Sequence, residues 1–242
     1  MMKILITNDD GISSPSIIAL AKWAKKHGEV TVVAPLVEQS GKSQSIDFHK
    51  SVEIKKVDLI DGCEVYTMNS TPADCVRFGI TGLGREYDLV LSGINRGYNL
   101  GDDIAYSGTV GAILEAGRLQ TKAIALSTDV DSFEAAYTEL DNAYSFIKDN
   151  GLLFHASLLN VNFPTVKSKG IVITRQGGMF YSDEFVRLED GTYIQVGEPI
   201  QSTDTDLSVD ISAIQNGYIS ITPVTATKTD LLAYDKIKSI KQ

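Results

Sequence analysis

Apolar and polar positions follow one another along this chain in two distinct periods. Residues 3–7 (KILIT) form a short run rich in branched side chains, and residues 16–27 (SIIALAKWAKKH) repeat apolar groups at Ile17, Leu20, Ala21 and Ala24, the spacing of a helix with one buried face. Ser14 ahead of Pro15 offers a side-chain N-cap with proline in the first helical position. A second run, EVTVVA (29–34), closes at Pro35, so strand, helix and strand succeed one another as in the βαβ unit of a parallel sheet. DLVLSG (88–93) and AIALST (123–128) predict further strands, with a helix between them over 108–119 (GTVGAILEAGRL). Residues 133–149 predict an amphipathic helix in which Phe133, Ala136, Tyr137, Leu140, Ala143, Tyr144 and Ile147 recur at three and four, with Gly151 as its stop. Residues 1–150 are therefore expected to form a doubly wound α/β core on a mostly parallel sheet.

The pattern changes after residue 150. LLNVNFP (158–164) still reads as a buried strand ended by proline, but GIVITRQ, TYIQVG and GYISITPV alternate among turn residues, with little helical pattern before residue 229. Residues 151–242 are expected to be a β-hairpin-rich elaboration of the same single domain. A polar stretch over 178–200, between aromatic-bearing strands, predicts a protruding hairpin suited to pairing with another subunit.

Composition removes several functions. The 22 Lys+Arg against 31 Asp+Glu give 22 − 31 = −9, which disfavours a nucleic-acid scaffold, because phosphate backbones are held by basic side chains. Hydrophobic residues at 43% supply a sizeable core. No apolar run approaches the roughly 20 residues that span a bilayer. The opening MMKILITNDD meets acid too early for a signal peptide, so a cytoplasmic location with no membrane partner is expected. Cys63 and Cys75 are too few for a disulfide scaffold or a Cys-type zinc site, and His27, His49 and His155 stand apart from one another. A metal, if used, must sit on oxygen ligands and be hard, such as Mg²⁺, Mn²⁺ or Ca²⁺.

Oxygen donors and glycines gather in the loops that follow the strands. Thr7-Asn8-Asp9-Asp10-Gly11 comes directly after the first strand, where an open parallel sheet places its ligand crevice. Two adjacent acids repel unless a cation offsets them; the plainer alternative is an Asx turn followed by a helix cap. QSGKSQS (39–45) lacks the G-x-x-x-x-G-K-[ST] spacing of a phosphate loop and taken alone reads as a solvated Ser/Gly loop, although its hydroxyls could serve a metal or phosphate. SGINRG (92–97) offers the uncharged amide oxygen of Asn95. YSGTVG (106–111) opens a helix whose amides and dipole suit an anion, the alternative being a capped, buried Gly/Ala helix. No G-x-G-x-x-G follows the first strand, which argues against a nucleotide-cofactor oxidoreductase.

The remaining conspicuous residues carry plainer expectations. Trp23 is a core or interface packer, the cysteines are reduced and structural, and His27 ends a helix where a cation is favoured. Phe180 and Tyr181, in the hairpin, are expected either at a subunit contact or bordering a neighbour's site. The terminal KIKSIKQ reads as a solvated, slightly basic tail.

Six segments, ILITNDDGISSPSI, VVAPLVEQSGKSQSI, STPADCV, DLVLSGINRGYNLGDDIAYSGTVGAILEA, LNVNFP and TDLSVDISAIQNGYISITP, resemble in their order and over nearly the whole chain the signatures of the SurE family of survival-protein 5′-nucleotidases. The resemblance implies a Rossmann-like core and hydrolysis of nucleoside 5′-monophosphates, with 3′-nucleotides and short polyphosphate as further substrates. It implies one divalent metal per subunit, Mg²⁺ or Mn²⁺, and homodimers or homotetramers built by hairpin contacts and a swapped C-terminal tail. By matching position, it implies Asp9, Asp10, Ser40 and Asn95 as metal ligands, and Ser107, Gly108 and Thr109 as phosphate contacts. Asp9 or Asp10 then helps to take the proton of the attacking water. Three departures bear on substrate preference and packing: the serine loop has no His, Ser70 stands where Gly is frequent before TPAD, and EAG replaces EG. A non-catalytic nucleotide or metal sensor is the competing expectation, and it would release no phosphate.

Overall fold

Branched apolar runs interleaved with one-faced helices fold as the pattern predicts in the computed structural model, which describes residues 1–201 and 203–240. In chain order the elements are β1 (Met2–Thr7), α1 (Pro15–Ala24), β2 (Gly28–Pro35), β3 (Ile54–Val57), β4 (Glu64–Met68), α2 (Pro72–Arg77), β5 (Leu89–Arg96), α3 (Gly108–Arg118) and β6 (Ala123–Thr128). There follow α4 (Phe133–Asp149), α5 (Leu152–His155), β7 (Leu158–Phe163), β8 (Ile171–Ile173), β9 (Glu184–Arg187), β10 (Tyr193–Val196), α6 (Asp210–Gln215), β11 (Ile219–Val224) and α7 (Leu231–Lys238). A π-helical turn (Phe78–Gly82) extends α2, and a 3₁₀ turn (Gly101–Ala105) precedes α3.

Nine strands make one sheet in the order β3-β4-β2-β1-β5-β6-β7-β11-β8. The run from β4 to β7 is parallel throughout. β3 pairs antiparallel with β4, β11 antiparallel with β7, and β8 parallel with β11. Alternate strand residues cover opposite faces: Leu5, Val33, Val90 and Ala125 pack with Val76 of α2 and Val110 and Ile113 of α3. Ile4, Ile6, Leu91 and Ile124 pack instead with Ile17 and Leu20 of α1 and Leu140 and Ile147 of α4. The fold is thus α/β and doubly wound, similar to the Rossmann arrangement. The chain moves outward from β1 through β2 to β4 and then returns to the other side of β1 as β5. The carboxyl ends of β1 and β5 are therefore the topological switch point, where open α/β sheets place their ligand sites.

The structure also departs from the expectations. β3, β4 and α2 were not anticipated; β3 is a mostly exposed edge strand, IKKV, and α2 has only six residues, so neither carries a long apolar period. α6 is a short helix where the sequence shows little helical pattern. β7, β11 and β8 join the same sheet as the first half of the chain, so the change of pattern near residue 150 is no change of sheet.

His27 lies beyond the end of α1, with its ring 4.5 Å from Trp23 and 4.7 Å from Tyr144. Burial lowers its pKa, which disfavours the expected helix-end cation in a ring that packs at a tilt against Trp23 and Tyr144. Trp23 is buried as expected and its Nε1 donates to Asp141 Oδ1 at 2.7 Å. Phe180 is buried within its own chain against Leu100, Ile211 and Ile214, with half-buried Tyr181 beside it, so both rings pack at the root of the hairpin. The exposed part is β9–β10 itself. Of the terminal KIKSIKQ, residues 236–240 form the end of α7 and the turn after it, and the last two lie outside the described residues. Among the described residues no helix is long and apolar enough to cross a membrane.

Candidate active site

At the end of β1 the chain turns on Asn8 and Gly11. Asn8 Nδ2 donates to the Gly11 carbonyl at 2.9 Å, and Gly11 takes φ 91°, a left-handed value that favours glycine. The helix cap of α1 is Ser14, whose Oγ accepts from Ser16 N, so neither acid is used as a cap. Asp9 points at the first turn of α3: its Oδ1 accepts the Thr109 hydroxyl at 2.6 Å and its Oδ2 accepts the Thr109 amide at 3.2 Å. Ser107 caps that helix by accepting from Val110 N at 3.0 Å. Gly108 makes the approach possible, since a Cβ there would lie 3.0 Å from Asp9 Oδ2 and 3.3 Å from the Gln39 carbonyl.

Two further loops close on the acids. The Asp9 carbonyl accepts from Gln39 N at 2.7 Å, which ties the serine loop to β1. Asp10 lies close enough to Arg96 at the end of β5 for its charge to oppose the rise of the Asp10 pKa. Next to it the β5–β6 ladder slips between Ser92 and Asn95, the kind of irregularity that re-aims side chains beside sites. Asn95 Nδ2 donates to the Gly97 carbonyl at 2.8 Å, which leaves its Oδ1 as an acceptor. Ser40 is exposed and its hydroxyl donates to Glu38 Oε1 at 2.6 Å. The residues expected from the sequence thus fall on four segments: the turn after β1, the serine loop after β2, the end of β5 and the first turn of α3. Asp9 and Thr109 touch directly, whereas the Ser40 hydroxyl is turned to Glu38.

The electrostatics follow from burial. Asp9 is 5% exposed, and burial raises its pKa against the two hydrogen bonds from Thr109. Asp10 is pushed up to about 6, first by burial and then by the negative charges of Asp9 and Glu38, with Arg96 opposing. Asp10 Oδ2 and Asn8 Oδ1 are buried with no hydrogen-bond partner, as is Ser92 Oγ on the facing strand. Unpartnered buried acceptors beside two like charges fit a cation, and donors that are all oxygen fit a hard divalent one. Among the described residues no three His, Cys, Asp or Glu side chains gather as metal ligands, so the set would mix two carboxylates with a hydroxyl and an amide. Opposite the acids, the positive end of the α3 dipole suits an anion.

Sequence reasoning missed Glu38, Arg96 and the supports beneath the β5 loop. The Asn99 amide donates to Asn162 Oδ1 at 2.9 Å, and its carbonyl accepts from Asn160 and Asn162 at 2.8 and 2.9 Å. The signal was present in LNVNFP, whose alternation puts both asparagines on one face of a buried strand, where a polar side chain needs a partner.

The family model described as survival protein SurE matches residues 4–183. The chain is 38% identical over 255 residues to the 5′-nucleotidase SurE of Natranaerobius thermophilus, covering 98% of each chain. It is 40% identical over 246 residues to the 5′-nucleotidase SurE of Thermoanaerobacter sp. strain X514, covering 98% of this chain and 96% of that one. The crystal structure of the SurE protein from Aquifex aeolicus superposes with a TM-score of 0.83 at 33% identity, covering 99% of this chain and all of that one.

Proposed function

The chain belongs to the survival protein SurE family, and from that premise we propose that it is a metal-dependent 5′-nucleotidase, a phosphoric monoester hydrolase acting on nucleoside monophosphates. The observation that carries the reading is the contact of Asp9 with Thr109, which joins an adjacent pair of acids, Asp9 buried and Asp10 half-buried, to the N-terminus of α3 at the switch point of the sheet. A cation site and an anion site then share one boundary, as phosphomonoester hydrolysis requires.

In this reading Asp9, Asp10, Ser40 and Asn95 hold one Mg²⁺ or Mn²⁺ per subunit. When bound, that ion supplies Lewis acidity that neutralises charge on the phosphoryl oxygens. Ser107, Gly108 and Thr109 orient the phosphate at the helix N-terminus, where charge developing on its oxygens is stabilised by fixed dipoles. The Thr109 hydroxyl holds Asp9 in place, and the acid pair takes the proton of the attacking water. Burial of Asp9 and Thr109 keeps bulk water from competing for their contact. 3′-Nucleotides and short polyphosphate are further substrates within the same chemistry.

The test is phosphate release from a panel of nucleoside monophosphates, with EDTA and with added Mg²⁺ or Mn²⁺. Asp9→Asn is expected to lower kcat by at least about 100-fold, the scale of losing one preorganised electrostatic group, with an unchanged circular dichroism spectrum. Release that is indifferent to EDTA, or an Asp9→Asn protein as fast as the parent, would refute the assignment.

A further inference from the structure

Two aspartates that lie outside the candidate site clamp the segment leading into the phosphate-binding turn. Asp210, at the start of α6, is 1% exposed. Its Oδ2 accepts the Gly101 amide at 2.9 Å, and its Oδ1 accepts the amides of Gly177 and Ile211, each at 2.8 Å. Burial pushes its pKa up, against these three amides. Asp103 Oδ2 accepts the amides of Phe180 and Tyr181 at 3.1 and 3.0 Å. Between them the Asp102 amide donates to the Gly178 carbonyl at 2.9 Å, and Gln176 Nε2 donates to Asp102 Oδ1 at 3.1 Å.

The 3₁₀ turn Gly101–Ala105 is therefore fastened along its length to residues 176–181, the root of the β9–β10 hairpin. The fit is close on both sides. Gly101 sits at φ 52°, and a Cβ on it would be driven into the Gly178 carbonyl. A Cβ on Gly177 would lie 3.0 Å from Asp210 Oδ1. Beneath the clasp Leu100, Phe180, Ile211 and Ile214 form an apolar cluster of their own, separate from the two that pack on the sheet. On its far side the turn runs without a gap into the helix cap. Tyr106 N bonds to the Asp103 carbonyl and Ser107 N to the Ile104 carbonyl, while Ser43 holds the Ala105 and Tyr106 carbonyls from the serine loop.

We propose that Asp103 and Asp210 are positioning residues for the phosphate-binding turn, setting the place of Ser107–Thr109 by locking the preceding turn to the hairpin root. The proposal rests on the reading that this turn takes the substrate phosphate. Of the expected metal ligands only Asp9 touches the turn, through Thr109, and its backbone is held separately by Gln39; Asp10, Ser40 and Asn95 lie on other segments, so releasing the clasp should move phosphate binding more than metal binding. A purely structural anchor would lower the melting temperature without that selectivity.

Asp210 is fully buried and its truncation endangers the fold, so half-buried Asp103 supplies the deciding variants. Inorganic phosphate, as a competitive inhibitor of the full-length enzyme, reports on the turn, and the half-saturating Mn²⁺ concentration reports on the metal ligands. Asp103→Ala is expected to raise both the KM for nucleotide and the Ki for phosphate by about 5- to 10-fold, the scale of one lost charge-assisted hydrogen bond partly transmitted, with a clearly smaller rise in the half-saturating Mn²⁺ concentration. Asp103→Asn, whose amide oxygen can accept the same two N–H groups, is expected to return both constants to near the parent values. Ser107→Ala, measured in parallel, tests the phosphate reading itself. If Ser107→Ala raises the Ki and Asp103→Ala does not, the clasp is only structural and the proposal is wrong. If neither changes the Ki, the phosphate reading falls and the proposal with it.

Discussion

At the scale of single residues, Asp10 is a carboxylate held where its charge is unwelcome. Its pKa rises to about 6 through burial and through the charges of Asp9 and Glu38, while in the unfolded chain it stays near the usual value of about 3.9. Between those values the folded protein binds more protons than the unfolded one, so stability falls as pH rises from about 4 to about 6 and remains low above that. Without metal, Asp10→Asn is therefore expected to melt higher than the parent at pH 7.5, by roughly 2–4 °C, the shift that about 1 kcal/mol produces in a chain of this size. The gap should close near pH 4, and saturating Mg²⁺ or Mn²⁺ should reverse it, because the parent's charged carboxylate binds the ion more tightly than a neutral amide. Differential scanning calorimetry with EDTA at the two pH values decides this; a parent that outlasts the variant at pH 7.5 would contradict it. Sequence alone showed two adjacent acids but not their burial. The closeness of Glu38 was hidden, because it depends on the serine loop folding back through Gln39 onto the Asp9 carbonyl.

At the scale of elements, α3 is where the site and the core meet. Glu115 in its third turn is buried, and it accepts Arg77 of α2 at 2.9 Å, Arg118 at 2.7 Å and Gln44 of the serine loop at 2.9 Å. Burial alone would raise its pKa, but these partners together hold it below the usual carboxylate range. Such a group stabilises the fold above its unfolded pKa of about 4.3, and the contribution disappears as pH falls through the lower folded value. Glu115→Ala is expected to cost roughly 2 kcal/mol at pH 7, under the about 3–5 kcal/mol of a fully buried pair, because both arginine heads reach solvent. Urea unfolding at pH 7 and below pH 4 checks this, and an equal loss at both would sever it from ionisation. Elements were legible where a long amphipathic or wholly buried run sets them. α4 and β6 begin and end where the apolar pattern does, at Phe133–Asp149 and Ala123–Thr128. β3 was illegible because an edge strand with lysines at its centre buries almost nothing. α2 was too short for a period, although Thr71 and Pro72 supply its cap and first position.

At the scale of the molecule, the apolar groups left uncovered point to self-association. α7 buries none of its residues, and Leu232 and Ile237 on it are 77% and 66% exposed. β9 and β10 likewise leave Phe185 and Tyr193 in solvent. Large apolar side chains left exposed along a helix and a hairpin suit a contact surface, and an isologous pairing of two copies is the commonest way to cover one. A net charge of −9 opposes association at long range, so the contact must be carried by apolar burial. The hairpin expected at 178–200 could be read from its polar stretch between aromatic-bearing strands, and KIKSIKQ was expected to be solvated, whereas a helix over Leu231–Lys238 that leaves Leu232 uncovered is visible only in the folded chain. We propose a homodimer or homotetramer in which these elements are covered by neighbouring copies. Light scattering during size-exclusion chromatography is expected to give a mass of at least two chains for the parent. Leu232→Asp combined with Ile237→Asp is expected to give a smaller species with the same far-ultraviolet circular dichroism, since α7 packs on no core of its own chain. A parent that elutes as one chain, at concentrations where it is active, would overturn the assembly. A paired-aspartate variant with undiminished mass would instead shift the contact from α7 to the hairpin, where Phe185→Asp and Tyr193→Asp should then dissociate it.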